Sequence, residues 1–579
     1  MSMEKPDIKN KSTVKSTLLN ILISLGVNLA VLASALHFSV IVYETNDDFA
    51  ISEKLAAGYP FIGFVNYYLC KFLILIQKSY ADINIFVLSQ IVVSFIALTA
   101  ILWVLLERRS CIADALLAVM AVAVFSLDHY CAVQFTKTAA LLMTAGLLLV
   151  ADSYIHDRKI WEFIAGFILF YLGVMYRQKG MLPAMAFAGC FVIVWLLIER
   201  KEFFKDRKLG REAVLVLLLA VIAVIPFGLD KLSDNMNEST PELKLGREYQ
   251  AERVKVTDYP LLEYYEASRD KYAEIGLDEN DLTVINRWMF DYDGAASLEN
   301  LKAINEINAP LAEADKSIEK SIRKTLRVSW SMVMDLDFNG MHIIMVGILI
   351  LYILFAKKPK ALFYALVMAV LAICMYAAVF YMQRPQYRAL YVGDINAVFW
   401  LLYAAAVSQN REAKAMEILR NIVACAGAAA MVFAYVHGLE RIDDWKEHNA
   451  ALIEPQVVTD YFAANTDLFF IGPTTVMQQP ASYLTPMVPP HPAPNVSGTG
   501  GWETMTPYKI DFLANYGIEN PIKDLIDNEG VRFYGAYKKD MLNQYLNKWY
   551  CDEGEEIVFE KTDEVNDTYI YKVVKVKYW

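Results

Sequence analysis

Directly after its first long apolar run the chain reads YETNDDFAIS (43–52), which sets Glu44, Asp47 and Asp48 within a few residues of one another. A partly desolvated carboxylate can take a proton from a hydroxyl as that oxygen attacks. It can equally hold a divalent cation. The plain alternative is a solvated turn just past a helix end. Cations come from short segments far away in the chain. MYRQKGMLP supplies Arg177 and Lys179; YMQRPQYRALYVGD supplies Arg384 and Arg388 with Tyr381, Tyr387 and Tyr391; DHYCAVQFTKTAA supplies His129 and Lys137. Guanidinium groups match phosphate with a planar, two-pronged donor set, whereas long basic side chains at a lipid boundary also simply reach for head groups.

Other polar residues carry weaker signals. His129 has no second histidine at helical spacing, so it reads as a hydrogen-bonding residue rather than a metal ligand. Asp335 and Asp337 in VMDLDFNG read as a loop leading into a helix. Asp394 heads a span and could pair with Arg388 or face a cavity. SGTGGW (497–502) lacks the strand-then-helix setting of a nucleotide loop.

These residues need a membrane to position them. Of the 579 residues, 56% are hydrophobic and 21% charged, and runs long enough to cross a bilayer recur from Leu18 to Tyr435. The expected architecture is an α-helical polytopic membrane protein with about eleven spans, near 17–42, 84–106, 111–127, 138–151, 160–176, 180–198, 212–229, 341–356, 361–381, 389–408 and 416–436. The first run is too long, and lacks the cleavage site, to be a removed signal peptide. The segment 59–80 is apolar but carries Lys71 and Lys78; it is expected to lie in the interface as an amphipathic helix rather than to cross. The seven cysteines sit mostly inside apolar runs, where they behave as small hydrophobes, and none shows zinc-type pair spacing.

Orientation follows from Lys and Arg. One set of loops, including the N-terminus, holds about 19 basic residues against about 8 in the opposite short loops. That places the N-terminus in the cytoplasm, and Asp47, Asp48 and the C-terminal region outside. With the net charge at −11 and the basic residues committed to topology, nucleic acid is not an expected partner.

Four regions result: an N-terminal bundle with the acidic first outer loop (1–229), an outer helical segment (230–340), C-terminal spans (341–437) and an outer α/β domain (438–579). In the second, SLENLKAINEI opens on a capping serine, and ADKSIEKSIRKTLRVSW has the spacing of an amphipathic helix leading into the next span. In the last, DLFFIGP, GVRFYGAY, EEIVFEK and DTYIYKVVKVKYW read as strands. KIDFLANYG and MLNQYLNKWY read as helices, and a Pro-rich loop lies between.

The order of parts resembles the GT-C-type glycosyltransferases: YETNDDFAIS directly after span one, then the interfacial GYPFIGFVNYYLCKFLILI. More narrowly it resembles uncharacterised bacterial multi-pass proteins with NDD after span one, an arginine near YRQKG and RPQYR in a late loop. The resemblance implies a sugar transferase of the cell membrane working on its outer face. Its donor would be a polyprenyl-phosphate sugar and its acceptor a cell-envelope glycan, lipid or protein. Asp47 or Asp48 would be the base. Arg384 and Arg388, with Arg177 and Lys179, would hold the donor phosphate, and Glu44, His129, Lys137 and Tyr387 would support them. The transfer would invert the anomeric centre, and the family leaves a divalent metal open. A transporter or flippase of a lipid-linked glycan is the rival reading, although the inverted repeats and broken helices common in transporters are not evident. A purely structural envelope protein would not need so many spans.

Overall fold

The computed structural model describes residues 8–39, 41–156, 160–203, 209–259, 261–355, 359–407, 414–450, 455–472, 494–535 and 538–578. The basic stretches of sequence read as loops, at 157–159, 356–358 and 408–413, and most of the Pro-rich stretch fall outside them.

Among the described residues, nine helices are long and apolar enough to cross a membrane, and the chain is a membrane-spanning protein. The expectation of about eleven included two more. Ile160–Tyr176 is apolar but has 17 residues, or about 26 Å of helix, against a bilayer core of about 30 Å. Leu209–Asn237 is helical, but most side chains before Val224 lie outside the described set. The segment Tyr67–Ser79 is a helix of 13 residues, far too short to cross. It buries Leu69, Cys70, Leu73, Ile74 and Gln77 and leaves Lys71 and Lys78 exposed.

Two helices, Phe135–Ile155 and Tyr387–Val407, are almost wholly enclosed by the others. That explains the short apolar run read for the fourth span. Its helix starts earlier and ends later than its apolar stretch because Lys137 and Asp152, which interrupt the pattern, find ionic partners inside the protein: Lys137 with Asp128 at 2.9 Å and Asp152 with Arg108 at 2.7 Å. Close packing of this helix on Ile160–Tyr176 depends on missing side chains. A Cβ at Gly146 would lie 2.5 Å from the Gly166 carbonyl oxygen, and one at Gly166 would lie 2.7 Å from that of Gly146. Small residues let helix backbones meet where lipid offers no competing drive.

Two short strands fix the end of the bundle that carries the acids. β1 (Val42–Tyr43) pairs in parallel with β2 (Ala132–Val133), with Val42 opposite Ala132 and Tyr43 opposite Val133. The segment after the first helix is thereby clamped to the turn between Ile112–Tyr130 and Phe135–Ile155. Beyond β1 the chain forms the helix Asn46–Ala56. Asp47 and Asp48 in its first turn favour the positive end of the helix dipole. It stops at Gly58, whose φ of +83° suits glycine; Tyr59 N–H reaches the Lys54 carbonyl at 2.8 Å and Gly58 N–H that of Leu55 at 3.1 Å, the paired bonds of a glycine C-cap.

Outside the bundle, the helices Pro241–Thr257, Tyr265–Glu274, Glu279–Asn286 and Leu298–Asp315 belong to the segment read as helical. Ser297 caps the last of these by accepting from Asn300 N–H. All four expected strands form: β3 (Phe469–Gly472), β5 (Val531–Tyr534), β6 (Glu555–Val565) and β7 (Thr568–Lys577), joined by β4 (Val496–Gly498). Their order is β4-β3-β5-β7-β6, with β3 parallel to β4 and β5, and β7 antiparallel to β5 and β6. The helices Pro507–Ala514 and Lys539–Tyr550 occupy the two helical stretches. The segments read as two regions, however, share one core: Tyr249, Leu282, Ile285 and Leu301 pack with Phe469, Leu513, Phe533 and Leu546. Tyr545 and Tyr550 both donate to Asp291, at 2.8 and 2.6 Å. The last long helix, Lys414–Ala450, also runs well past the expected end of its span.

Candidate active site

The acids sit where four pieces of chain converge at one end of the bundle: the helix Asn46–Ala56, the β2 turn, the turn Gln178–Gly180 and the turn after Pro359–Tyr381. Adjacent in sequence, Asp47 and Asp48 point apart. Asp48 is fully buried; its Oδ1 accepts from Gln90 Nε2 at 3.1 Å and from Phe135 N–H at 2.9 Å. It therefore satisfies the first backbone donor of Phe135–Ile155, one of the groups a helix start leaves open. Its Oδ2 is buried with no hydrogen-bond partner among the described residues. Burial drives the Asp48 carboxyl well above the usual range, against the bonds from Gln90 and Phe135.

Asp47 is partly open to solvent and faces cations. Its Oδ2 lies 3.3 Å from an Arg388 guanidinium nitrogen. Arg177 projects from the 160–176 helix end over the rings of Phe64 and Phe135, at 5.4 and 5.5 Å, a stacking that suits a guanidinium. Among the described residues it has no ion-pair partner. Burial and the nearby charges of Arg388 and Arg384 push its guanidinium down to about 10, with Asp47 opposing; it stays protonated at neutral pH.

Arg384 pairs with Asp258 of the helical segment outside the bundle, and Asp258 also lies 4.0 Å from Arg253. The buried Arg253 stacks on Trp288 at 4.9 Å. Burial lowers its guanidinium, with Asp258 the main opposing charge. Lys179 is exposed at the turn beside Arg177. Arg177, Lys179, Arg384 and Arg388 are thus brought together, with Arg253 added to them, around Asp47 and Asp258. Cations outnumber carboxylates, so the recess is suited to an anion.

The remaining expected residues form a second, dry cluster. Lys137, fully buried, lies 2.6 Å from Glu44 and 2.9 Å from Asp128. Tyr387 donates to Asp128 at 2.6 Å. The string continues inward through His342, 3.5 Å from Asp128 and 3.4 Å from Asp394. Asp394 also accepts from Asn339 at 2.6 Å and Tyr376 at 2.8 Å; these partners, and not Arg388, surround it. His129 bonds Tyr391 at 2.6 Å and Ser94 at 3.4 Å, a hydrogen-bonding role. Asp337 accepts from Gly340 N–H at 2.6 Å and so opens the helix Phe338–Phe355.

The C-terminal α/β domain reaches the same end of the bundle. Trp502 meets Phe64 edge-on at 4.9 Å and lies under the Lys54 ammonium at 4.2 Å; Lys54, fully buried, pairs with Glu503. Beside it, burial and the Glu503 charge raise Glu53 to about 7.

Sequence reasoning missed Asp128, His342, Arg253, Asp258 and Trp502. An aspartate closing an apolar span, as in SLDHY, was a usable signal for Asp128. Nothing local links Asp258 to Arg384 across the sequence that separates them.

Among the described residues, no group of three or more His, Cys, Asp and Glu side chains could hold a metal ion, and the carboxylate at the open edge is opposed by a guanidinium. The donor set does not fit a divalent cation held by protein side chains alone. Comparison with protein-family models, curated proteins and solved structures finds no match to the chain.

Proposed function

We propose that the protein is a GT-C-like glycosyltransferase that moves a sugar from a polyprenyl-phosphate donor to a cell-envelope acceptor at the outer face of the membrane. The observation that carries this reading is the pairing of the partly open Asp47 carboxylate with Arg388 at 3.3 Å, inside a group of cations that includes Arg177, which has no ion-pair partner among the described residues. In the proposed reaction Asp47 accepts the proton of an acceptor hydroxyl. The freed oxygen bonds to the anomeric carbon from the face opposite the leaving group. The bond from that carbon to the phosphate oxygen breaks, and its electron pair leaves with the lipid phosphate, steadied by Arg388, Arg177 and Arg384. The proton on Asp47 then passes to water. Phosphate is already a good leaving group, so a base and fixed positive charge suffice. Asp48 ties the first turn of Asn46–Ala56, which presents Asp47, to the start of Phe135–Ile155.

The test uses protein in vesicles with a polyprenyl-phosphate sugar. Asp47→Asn is expected to abolish transfer at normal expression. Asp48→Asn is expected to keep most activity, because an amide oxygen still accepts from Gln90 and Phe135. Full activity in Asp47→Asn removes the reaction as written.

A second reading, lipid-linked glycan transport, draws support from the buried acid–base string through Asp128, His342 and Asp394, since ionisable groups inside a span often line a pathway. It predicts movement of label between leaflets with no change in product mass, so one assay following both separates the two.

A further inference from the structure

The helix Ile318–Asp335 has three distinct sides. One packs on the protein: Ser321 and Thr325 are buried, and Val328 and Met332 join Tyr376, Val379 and Phe380 of the neighbouring span. The second is apolar and open. Ile318, Ile322, Leu326, Trp330 and Met334, spaced by four, are exposed at 71, 41, 58, 67 and 64%. The third carries exposed Lys320, Arg323, Lys324 and Arg327, of which Arg323 pairs with Glu319 at 2.6 Å. At 100° per residue the apolar row lies between the protein side and the basic side.

The angle of this helix is fixed. Leu336 ends it in the left-handed region at φ +50°. The next helix, Phe338–Phe355, is a candidate span. A Cβ at Gly340 would lie 1.9 Å from the Met332 carbonyl oxygen, so the two helices meet backbone to backbone. The open row therefore lies next to one end of a span, and Ile373 and Met382 of the adjoining chain are exposed too.

We propose that Ile318–Asp335 is a lipid-binding helix that rests its apolar row among the acyl chains of one leaflet and its basic side against anionic head groups. The occupant is bilayer lipid, for two reasons. An open apolar row of this length costs free energy in water, and it joins a surface that already faces acyl chains. Its third side carries more cations than carboxylates, which suits phosphate-bearing head groups. The leaflet is the one on the side of Arg384 and Arg388, because the helix packs on the last turns of Pro359–Tyr381 just before them. Anionic lipid is thereby concentrated next to the cationic recess. The proposal rests on the spans alone and does not require the transferase reading.

The test places single nitroxide labels along 320–334 of the full chain, in a background without native cysteines, in nanodiscs with and without phosphatidylglycerol. Labels at 322, 326 and 330 are expected to be reached by oxygen and shielded from a water-soluble nickel chelate, and labels at 323 and 327 the reverse. Phosphatidylglycerol should immobilise the helix further. Replacing Lys320, Arg323, Lys324 and Arg327 together by Gln should weaken that lipid response at least about fivefold, with the unfolding midpoint of the protein unchanged. The proposal is overturned if 326 and 330 are as open to nickel as 327, or if they are shielded from oxygen and nickel alike, the mark of a second copy or another protein. A lipid response that survives the four substitutions, or a change in unfolding midpoint large enough to account for its loss, overturns the anionic part.

Discussion

Two charged clusters lie within one end of this bundle and differ in their access to water. Around Asp47, Arg384 and Arg388 the side chains keep 22 to 35% of their surface exposed. Around Lys137, Asp128 and Glu44 exposure is 6% or less. The same residue types therefore serve opposite ends. In the dry cluster every charge is committed to a neighbour from another helix, and the cluster fixes where those helices meet. In the recess the charges are unevenly matched, and an incoming anion can replace water there at small cost. Access, more than residue identity, separates framework from candidate chemistry.

The sharpest way to break this contrast is Lys137→Met. It leaves Glu44 and Asp128 buried without their cation, a loss of about 3–5 kcal/mol, and is expected to lower the unfolding midpoint in detergent and the folded yield together. A normal midpoint would show that the dry cluster is not the framework. Next comes Arg388→Gln, which should leave the midpoint in place while transfer falls by about two orders of magnitude or more. Arg384→Gln should cost less, since Arg384 already shares its charge with Asp258. Equal losses for the two arginines would show that the Asp47 pairing has no special place.

The smallest effect concerns the junction with the C-terminal α/β domain. Glu53, raised to about 7 from 4.5 by burial and by Glu503, binds its proton more tightly folded than unfolded. Its contribution to stability is present at low pH and is lost as pH rises from the unfolded value through about 7. The protection of 499–508 against hydrogen exchange, taken relative to the intrinsic rate at each pH, should then fall between pH 5 and pH 8, and Glu53→Gln should flatten that change. An unaltered profile in the variant would assign the pH dependence to another group.

Much of the fold was legible because each signal was local. Apolar runs gave the spans, richness in aromatic and β-branched residues gave β3, β5, β6 and β7, and the apolar segment around Lys71 and Lys78 gave the short helix Tyr67–Ser79. The acids and cations of the site were also visible as residues out of keeping with their surroundings. Less legible were the helix Asn46–Ala56, hidden because a short polar segment carries little periodicity, and the true length of Phe135–Ile155, hidden because Lys137 looked like an end.

By itself, then, the sequence determined that the chain is a helical membrane protein with a C-terminal α/β region, and it marked which segments bear unusual charge. Hydropathy and turn chemistry act over a few residues, so they can be read one segment at a time. Only the tertiary structure decided that Asp47 turns to the arginines while Asp48 turns to Phe135. It alone made Lys137 a buried hub, and it alone merged the two segments outside the bundle around one core. Those outcomes depend on which distant helices meet, and helix contacts are set by side-chain shape and pairing across the whole bundle.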